Sequence, residues 1–148
     1  MLYLVHHADA VGPEIDPQRP LSPAGRAHVE RLAAEAASRG VRPGAVWHSG
    51  KLRARQTAEV LWRACQPLAE FAAVRGLQPT DPPDEIVTRL AAETRDVMLV
   101  GHMPSLPRIY AALLGSGANE APRSFPQHGL VVLQQERDRW TETWRLGE

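Results

Sequence analysis

The sequence predicts an α/β fold: a single domain over residues 1–148, arranged as a three-layer sandwich with a mostly parallel central sheet and helices on both faces. Three observations carry this expectation. Short apolar runs alternate with amphipathic helical stripes, the pattern of a parallel sheet wound with crossover helices. Val97 to Val100 is continuously apolar, as a strand covered on both faces must be. The length of 148 residues suits one core and no second domain.

The elements follow in order. Leu2 to Val5 reads as a buried strand, with His6 and His7 leaving its end. Ser22 and Pro23 supply an N-cap and a first-turn proline, and Val29, Leu32, Ala33, Ala36 and Ala37 form a helical stripe that Gly40 ends. Ala45 to Trp47 is a second strand, and Ala54, Thr57, Ala58, Leu61, Trp62 and Cys65 share the face of a second helix. From Gln66 to Pro83 the prolines and Gly76 punctuate what reads as a loop-rich excursion. Ile86, Val87, Leu90 and Ala91 mark a helix after Asp84, and the Val97 strand follows. Leu106, Ile109, Tyr110, Leu113 and Leu114 mark another helix, closed by Gly115. Leu130 to Leu133 and Trp140 to Trp144 form a terminal hairpin across the charged turn Glu136 to Arg139. On an extended strand Trp140, Glu142 and Trp144 share one face, which we expect to pack on the core.

Composition narrows the function. Seventeen basic and seventeen acidic residues give zero net charge, so bulk charge draws neither nucleic acid nor a membrane surface, and any anion site must be local. The one cysteine, Cys65, closes no intramolecular disulfide, which fits a reducing compartment such as the cytoplasm. The first residues show no signal-peptide pattern, and no segment has the length of a bilayer span.

Polar residues gather at three predicted strand ends: His6 and His7, Ser49 to Arg53, and Gly101-His102. Ligands of wound α/β sheets bind beyond the carboxyl ends of the strands, so three such ends can converge on one pocket. Histidines, a guanidinium and nearby helix N-termini suit a tetrahedral dianion, phosphate above all. The bland alternative, ordinary polar residues at strand ends, holds for either histidine alone and weakens for the set. A metal site fits less well, because adjacent residues of an extended strand point to opposite faces and no carboxylate cluster completes the set. Neither Val11-Gly12-Pro13 nor Gly115-Ser116-Gly117 matches a nucleotide-binding loop, so no cofactor is expected. His28 and His48 read as structural or surface residues, and His128, at a strand start, is left open.

Four segments, Leu2-Tyr3-Leu4-Val5-His6-His7-Ala8-Asp9-Ala10, Arg19-Pro20-Leu21-Ser22-Pro23-Ala24-Gly25, Ser49-Gly50-Lys51-Leu52-Arg53-Ala54-Arg55-Gln56-Thr57-Ala58 and Val100-Gly101-His102-Met103-Pro104, resemble the histidine phosphatase superfamily, especially its small SixA-type phosphohistidine phosphatases. The likeness runs in order along nearly the whole chain, and the third segment is its most specific part. It implies a phosphoglycerate mutase-like fold, His7 as nucleophile, and Arg53 and His102 as phosphate ligands and catalytic residues. The family's strand-one motif is Arg-His-Gly; here His6 stands for the arginine and Ala8 for the glycine. Histidine is shorter and carries no permanent charge, so His6 is expected to be a weaker phosphate ligand, and His6→Arg to strengthen binding.

The resemblance implies a metal-independent hydrolase in which His7 becomes phosphorylated and water then releases phosphate. Larger members protonate an alcohol leaving group with a carboxylic acid, for which Asp84 and Glu85 are the nearest candidates. Phosphohistidine needs no such acid, which favours a phosphohistidine-bearing protein as substrate. The alternatives are a small phosphate ester handled by the same chemistry, or a phosphate-binding module that lost turnover with the arginine. No nucleic acid or membrane partner is expected.

Overall fold

Ten elements follow one another in the computed structural model, which describes residues 1–115 and 124–147. They are β1 (Leu2–His6), α1 (Pro23–Ser38), β2 (Ala45–His48), α2 (Leu52–Cys65), β3 (Glu70–Ala73), α3 (Asp84–Ala91), β4 (Val97–Gly101), α4 (Ser105–Leu114), β5 (Leu130–Glu136) and β6 (Arg139–Leu146). One six-stranded sheet runs in the order β3-β2-β4-β1-β5-β6. The first four strands of that order are mutually parallel, β5 is antiparallel to β1, and β6 closes the hairpin. The α/β sandwich expected from the sequence is therefore the fold. Ser116 and Gly117 lie outside the described residues.

Burial alternates by face along each central strand. Tyr3, Val5, Met98 and Val100 join Val29, Ala33, Ala58 and Leu61 beneath α1 and α2. Leu2, Leu4, Trp47 and Leu99 join Ile86, Leu106 and Ile109 beneath α3 and α4. Both faces are covered, which is why β1 and β4 read as unbroken apolar runs. A fully buried leucine such as Leu4 or Leu99 contributes roughly 1.5–3 kcal/mol over an exposed one. At the head of α1 the Ser22 hydroxyl accepts the Gly25 N–H at 2.9 Å, as the capping pattern predicts. Gly25 is required for another reason: a Cβ there would sit 2.0 Å from the Asp9 carbonyl oxygen.

Two expectations need correction. The segment from Gln66 to Pro83 contains β3, a four-residue edge strand that pairs only with β2. A strand this short, bonded on one side and half exposed, leaves no readable periodicity. Trp140 and Trp144 also fall on opposite faces. The β5–β6 register shifts at Val132/Leu133, pairing Val132 with Trp144 and Leu133 with Glu142, so Thr143 is passed over. This bulge turns Trp144 toward the α1–α2 core and Trp140 toward the α3–α4 core.

Because β2, β4 and β1 are adjacent and parallel, their carboxyl ends emerge side by side. The segment Pro126–Gly129, entering β5, reaches the same edge, where the Gly129 carbonyl accepts the His6 N–H at 3.1 Å.

Candidate active site

His7 follows β1 directly, its N–H bonded to the Gly101 carbonyl at 3.0 Å. Its Nδ1 lies 2.7 Å from the Ala8 carbonyl oxygen. A carbonyl only accepts, so Nδ1 carries the proton and Nε2 keeps its lone pair. Burial, with the nearby charges of Arg53, His128 and Arg19, lowers the His7 pKa to about 4, so the ring is neutral at pH 7. Ala8 has no positive φ, so a side chain fits where the family has glycine. Its N–H bonds the Thr57 hydroxyl at 3.0 Å, which donates to the Arg53 carbonyl at 2.8 Å. Thr57 thereby ties the end of β1 to the first turn of α2.

That turn carries Arg53. Its Nε is buried and has no partner among the described residues, and its charge reaches His6, His7 and His102. Arg19, bonded through Nε to the Val11 carbonyl at 3.0 Å, adds a second positive charge felt by His7 and Arg53.

His102 leaves β4 with only 1% of its surface exposed, its ring centroid 5.0 Å from that of His7. Nε2 lies 2.7 Å from the Ser49 hydroxyl, which also accepts the Lys51 N–H at 3.3 Å. With the hydroxyl hydrogen given to Nε2, the proton of His102 sits on Nδ1, which is buried and without a partner among the described residues. Burial first, then the neighbouring charges of His7 and Arg53, lowers its pKa to about 3. Like His7, His102 is neutral at pH 7, so it meets an anion as an N–H donor and the permanent charge comes from the arginines.

His6 is 6% exposed, and its Nδ1 accepts the backbone N–H of His128 at 2.8 Å. Burial lowers its pKa to about 3, and the charges of His7 and His128 lower it further. The ring is neutral with its proton on Nε2. The expectation that the His6 and His7 rings stay apart on opposite faces is corrected: β1 ends at His6, and the two ring centroids lie 4.5 Å apart. With His128, one ring nitrogen of each lies within 4.8 Å of the others. The hydrogen bonds still fit a metal poorly, because the His6 Nδ1 lone pair is taken and its Nε2 is protonated, leaving at most two free donors.

The remaining residues sort as follows. His48 is structural, as expected, its Nδ1 accepting the Gly50 N–H at 3.0 Å. His28 Nε2 donates to the His128 carbonyl at 3.0 Å, so it touches the wall of the site. Asp84 and Glu85 are exposed at the start of α3. Glu85 pairs with Arg75 at 3.6 Å and lines a cleft of about 430 Å³ with Ser49, Gly76 and Gln78, whereas Asp84 does not line it. A larger cleft of about 630 Å³ between α1 and α2 contains none of these groups. Sequence reasoning assigned no role to Ser49, Thr57, Arg19 or His128. Ser49 was within reach of the strand-end argument that found His102; the others needed the fold.

The molecule superimposes on a protein of Agrobacterium tumefaciens assigned as the phosphohistidine phosphatase SixA, with 32% identity over 99% of this chain and 97% of that one and a TM-score of 0.82. The chain belongs to the SixA-type histidine phosphatases. A protein histidine phosphatase SixA complexed with tungstate shares the fold at 22% identity and a TM-score of 0.85, covering 99% and 96% of the two chains. A mycobacterial glucosyl-3-phosphoglycerate phosphatase complexed with VO3 does so at 17% identity and a TM-score of 0.73, covering 97% of each chain. No protein-family model and no curated protein matches the sequence. His7 and His102 stand with ring centroids 5.0 Å apart and the charge of Arg53 reaches both, while His6 and Ala8 are the two positions that depart from the strand-one motif.

Proposed function

We propose that the protein removes phosphoryl groups from phosphohistidine on other proteins through a covalent intermediate on His7 Nε2. The observation that carries this is the hydrogen bond from His7 Nδ1 to the Ala8 carbonyl, which leaves the opposite nitrogen bare beside Arg53 and His102. The Nε2 lone pair attacks phosphorus, and the bond from phosphorus to the substrate nitrogen breaks. Arg53 holds the equatorial oxygens, with the N–H groups of His102 and His6 as neutral donors. Water then attacks the phosphohistidine, phosphate leaves and His7 Nε2 regains its lone pair.

Among the described residues no carboxylate is hydrogen-bonded or ion-paired to His7, Arg53 or His102. A phosphohistidine nitrogen takes its proton from solvent before the bond breaks, so this substrate tolerates the lack of a carboxylic acid. The cleft lined by Glu85 beside Ser49 supports a second reading, a small phosphate ester whose leaving group Glu85 protonates. The charge supplied by Arg53 and Arg19 makes a metal unnecessary in either reading, and a single buried cysteine suits the cytoplasm.

The test is a panel of phosphohistidine-bearing proteins and small phosphate esters, assayed with a chelator present throughout. Release of phosphate at higher kcat/KM from the proteins supports the proposal. Hydrolysis confined to small esters moves the function to the second reading, and activity that requires an added divalent ion removes the metal-independent mechanism.

A further inference from the structure

His128 makes three separate contacts with the strand-one histidines. Its backbone N–H donates to His6 Nδ1 at 2.8 Å. Its ring stacks on His6 with centroids 4.8 Å apart and planes 7° from parallel. Its Nδ1 lies 2.6 Å from the His7 carbonyl, to which it donates. It makes them from a φ of 54°, a left-handed conformation that a side chain adopts at a cost, and α1 helps hold it there through the bond from His28 to its carbonyl.

We propose that His128 is a positioning residue of the phosphate site, coupled to His6 so that the two imidazoles jointly replace the arginine of the family motif. The inference rests on the phosphatase reading and assigns this chain's own solution to the missing guanidinium. The amide bond selects the His6 tautomer that presents Nε2–H as donor, the stacked ring fixes the His6 plane, and the bond to the His7 carbonyl holds the nucleophile's backbone. His128 thus acts through its neighbours.

This coupling reverses what the sequence implied for His6→Arg. Arginine has no acceptor, so the His128 N–H loses its partner, and the longer guanidinium meets the ring stacked on residue 6. Glycine at position 128 leaves that N–H in place but removes the ring, and suits φ 54° without strain. The two positions must therefore change together.

Tungstate affinity, measured calorimetrically on wild type, His6→Arg, His128→Gly and the double variant, tests the pair without turnover. Each single change should weaken tungstate roughly tenfold, the size of one lost hydrogen bond to an anion or a buried donor, and the double variant, relieved of the stacked ring although the N–H of residue 128 stays unpaired, should bind more tightly than His6→Arg alone. Nitrogen-15 shifts of the wild-type protein should show His6 bare at Nδ1 and protonated at Nε2. Tighter binding by His6→Arg alone, independent effects in the double variant, or the opposite His6 tautomer overturns the coupling and leaves the phosphatase reading intact. A wild-type protein that binds no tungstate overturns both. His128→Gly eases its backbone, so misfolding does not obscure the result.

Discussion

On one wall of the site His7, Arg53 and His102 are placed by short segments at the ends of β1, β2 and β4. On the other, His6 is held by His128, 122 residues further along the chain. Among the described residues the first wall leaves the donors Arg53 Nε and His102 Nδ1 without a partner beside the lone pair of His7 Nε2. The second is tied through the His128 amide, the stacked rings and the His7 carbonyl. Local placement is written in motifs; the second wall exists only because β5 pairs antiparallel to β1 and delivers Pro126–Gly129 to the strand ends. The comparison separates the groups proposed to perform chemistry from those proposed to hold an unusual ligand in place.

Substitutions on the first wall should be the more damaging. His7→Ala should abolish turnover and any trapped phosphoenzyme while circular dichroism and melting stay near wild type, because the residue follows the strand and carries no core packing. Residual labelling in that variant would move the chemistry to the second wall. Arg53→Lys should lower kcat/KM about a hundredfold, the ~3 kcal/mol upper range of a hydrogen bond to a charged group, since a point charge cannot reproduce a planar fork. Near-normal kinetics would place Arg53 outside the reaction. Ser49→Ala should cost roughly tenfold in kcat/KM by freeing the His102 tautomer, with Ser49→Thr recovering most of it. Equal loss in both variants would indicate packing, not tautomer selection.

The smallest effect concerns acid. The folded pKa values of His6, His7 and His102 lie at about 3, 4 and 3, below the ordinary 6.5. Between those values and 6.5 the unfolded chain binds more protons, so stability is complete above pH 6.5 and falls as pH drops toward 4. Formation of the phosphoenzyme should stay constant from pH 7 to pH 5 and fall near pH 4, where His7 Nε2 takes a proton. An acid limb centred on pH 6.5 would show that burial does not hold these rings neutral, and would remove the distinction between neutral donors and charged arginines.

Much of the fold was legible because β1 and β4 are covered on both faces and α1 carries its cap at Ser22. β3 was not, since four half-exposed edge residues have no period. The faces of Trp140 and Trp144 were misread because a bulge shifts a two-residue repeat without marking the sequence. In the site, the strand-end argument pointed to His7, Arg53 and His102, whereas the alternation of faces used against a metal missed the approach of the His6 and His7 rings to 4.5 Å. His128 carries no local sign of its partnership, which depends on a strand pairing more than a hundred residues away. Glu85 reached a cleft beside Ser49 and Asp84 did not, a difference fixed by which face of one helical turn each occupies.

The account turns on which nitrogen becomes phosphorylated. Protein labelled with nitrogen-15 in histidine, trapped with phosphoramidate and held at alkaline pH, should show phosphorus–nitrogen coupling at Nε2 of His7 alone, with Nδ1 of the same ring still protonated by its bond to the Ala8 carbonyl. Coupling at Nδ1 of His7, or at either nitrogen of His6 or His102, would contradict it.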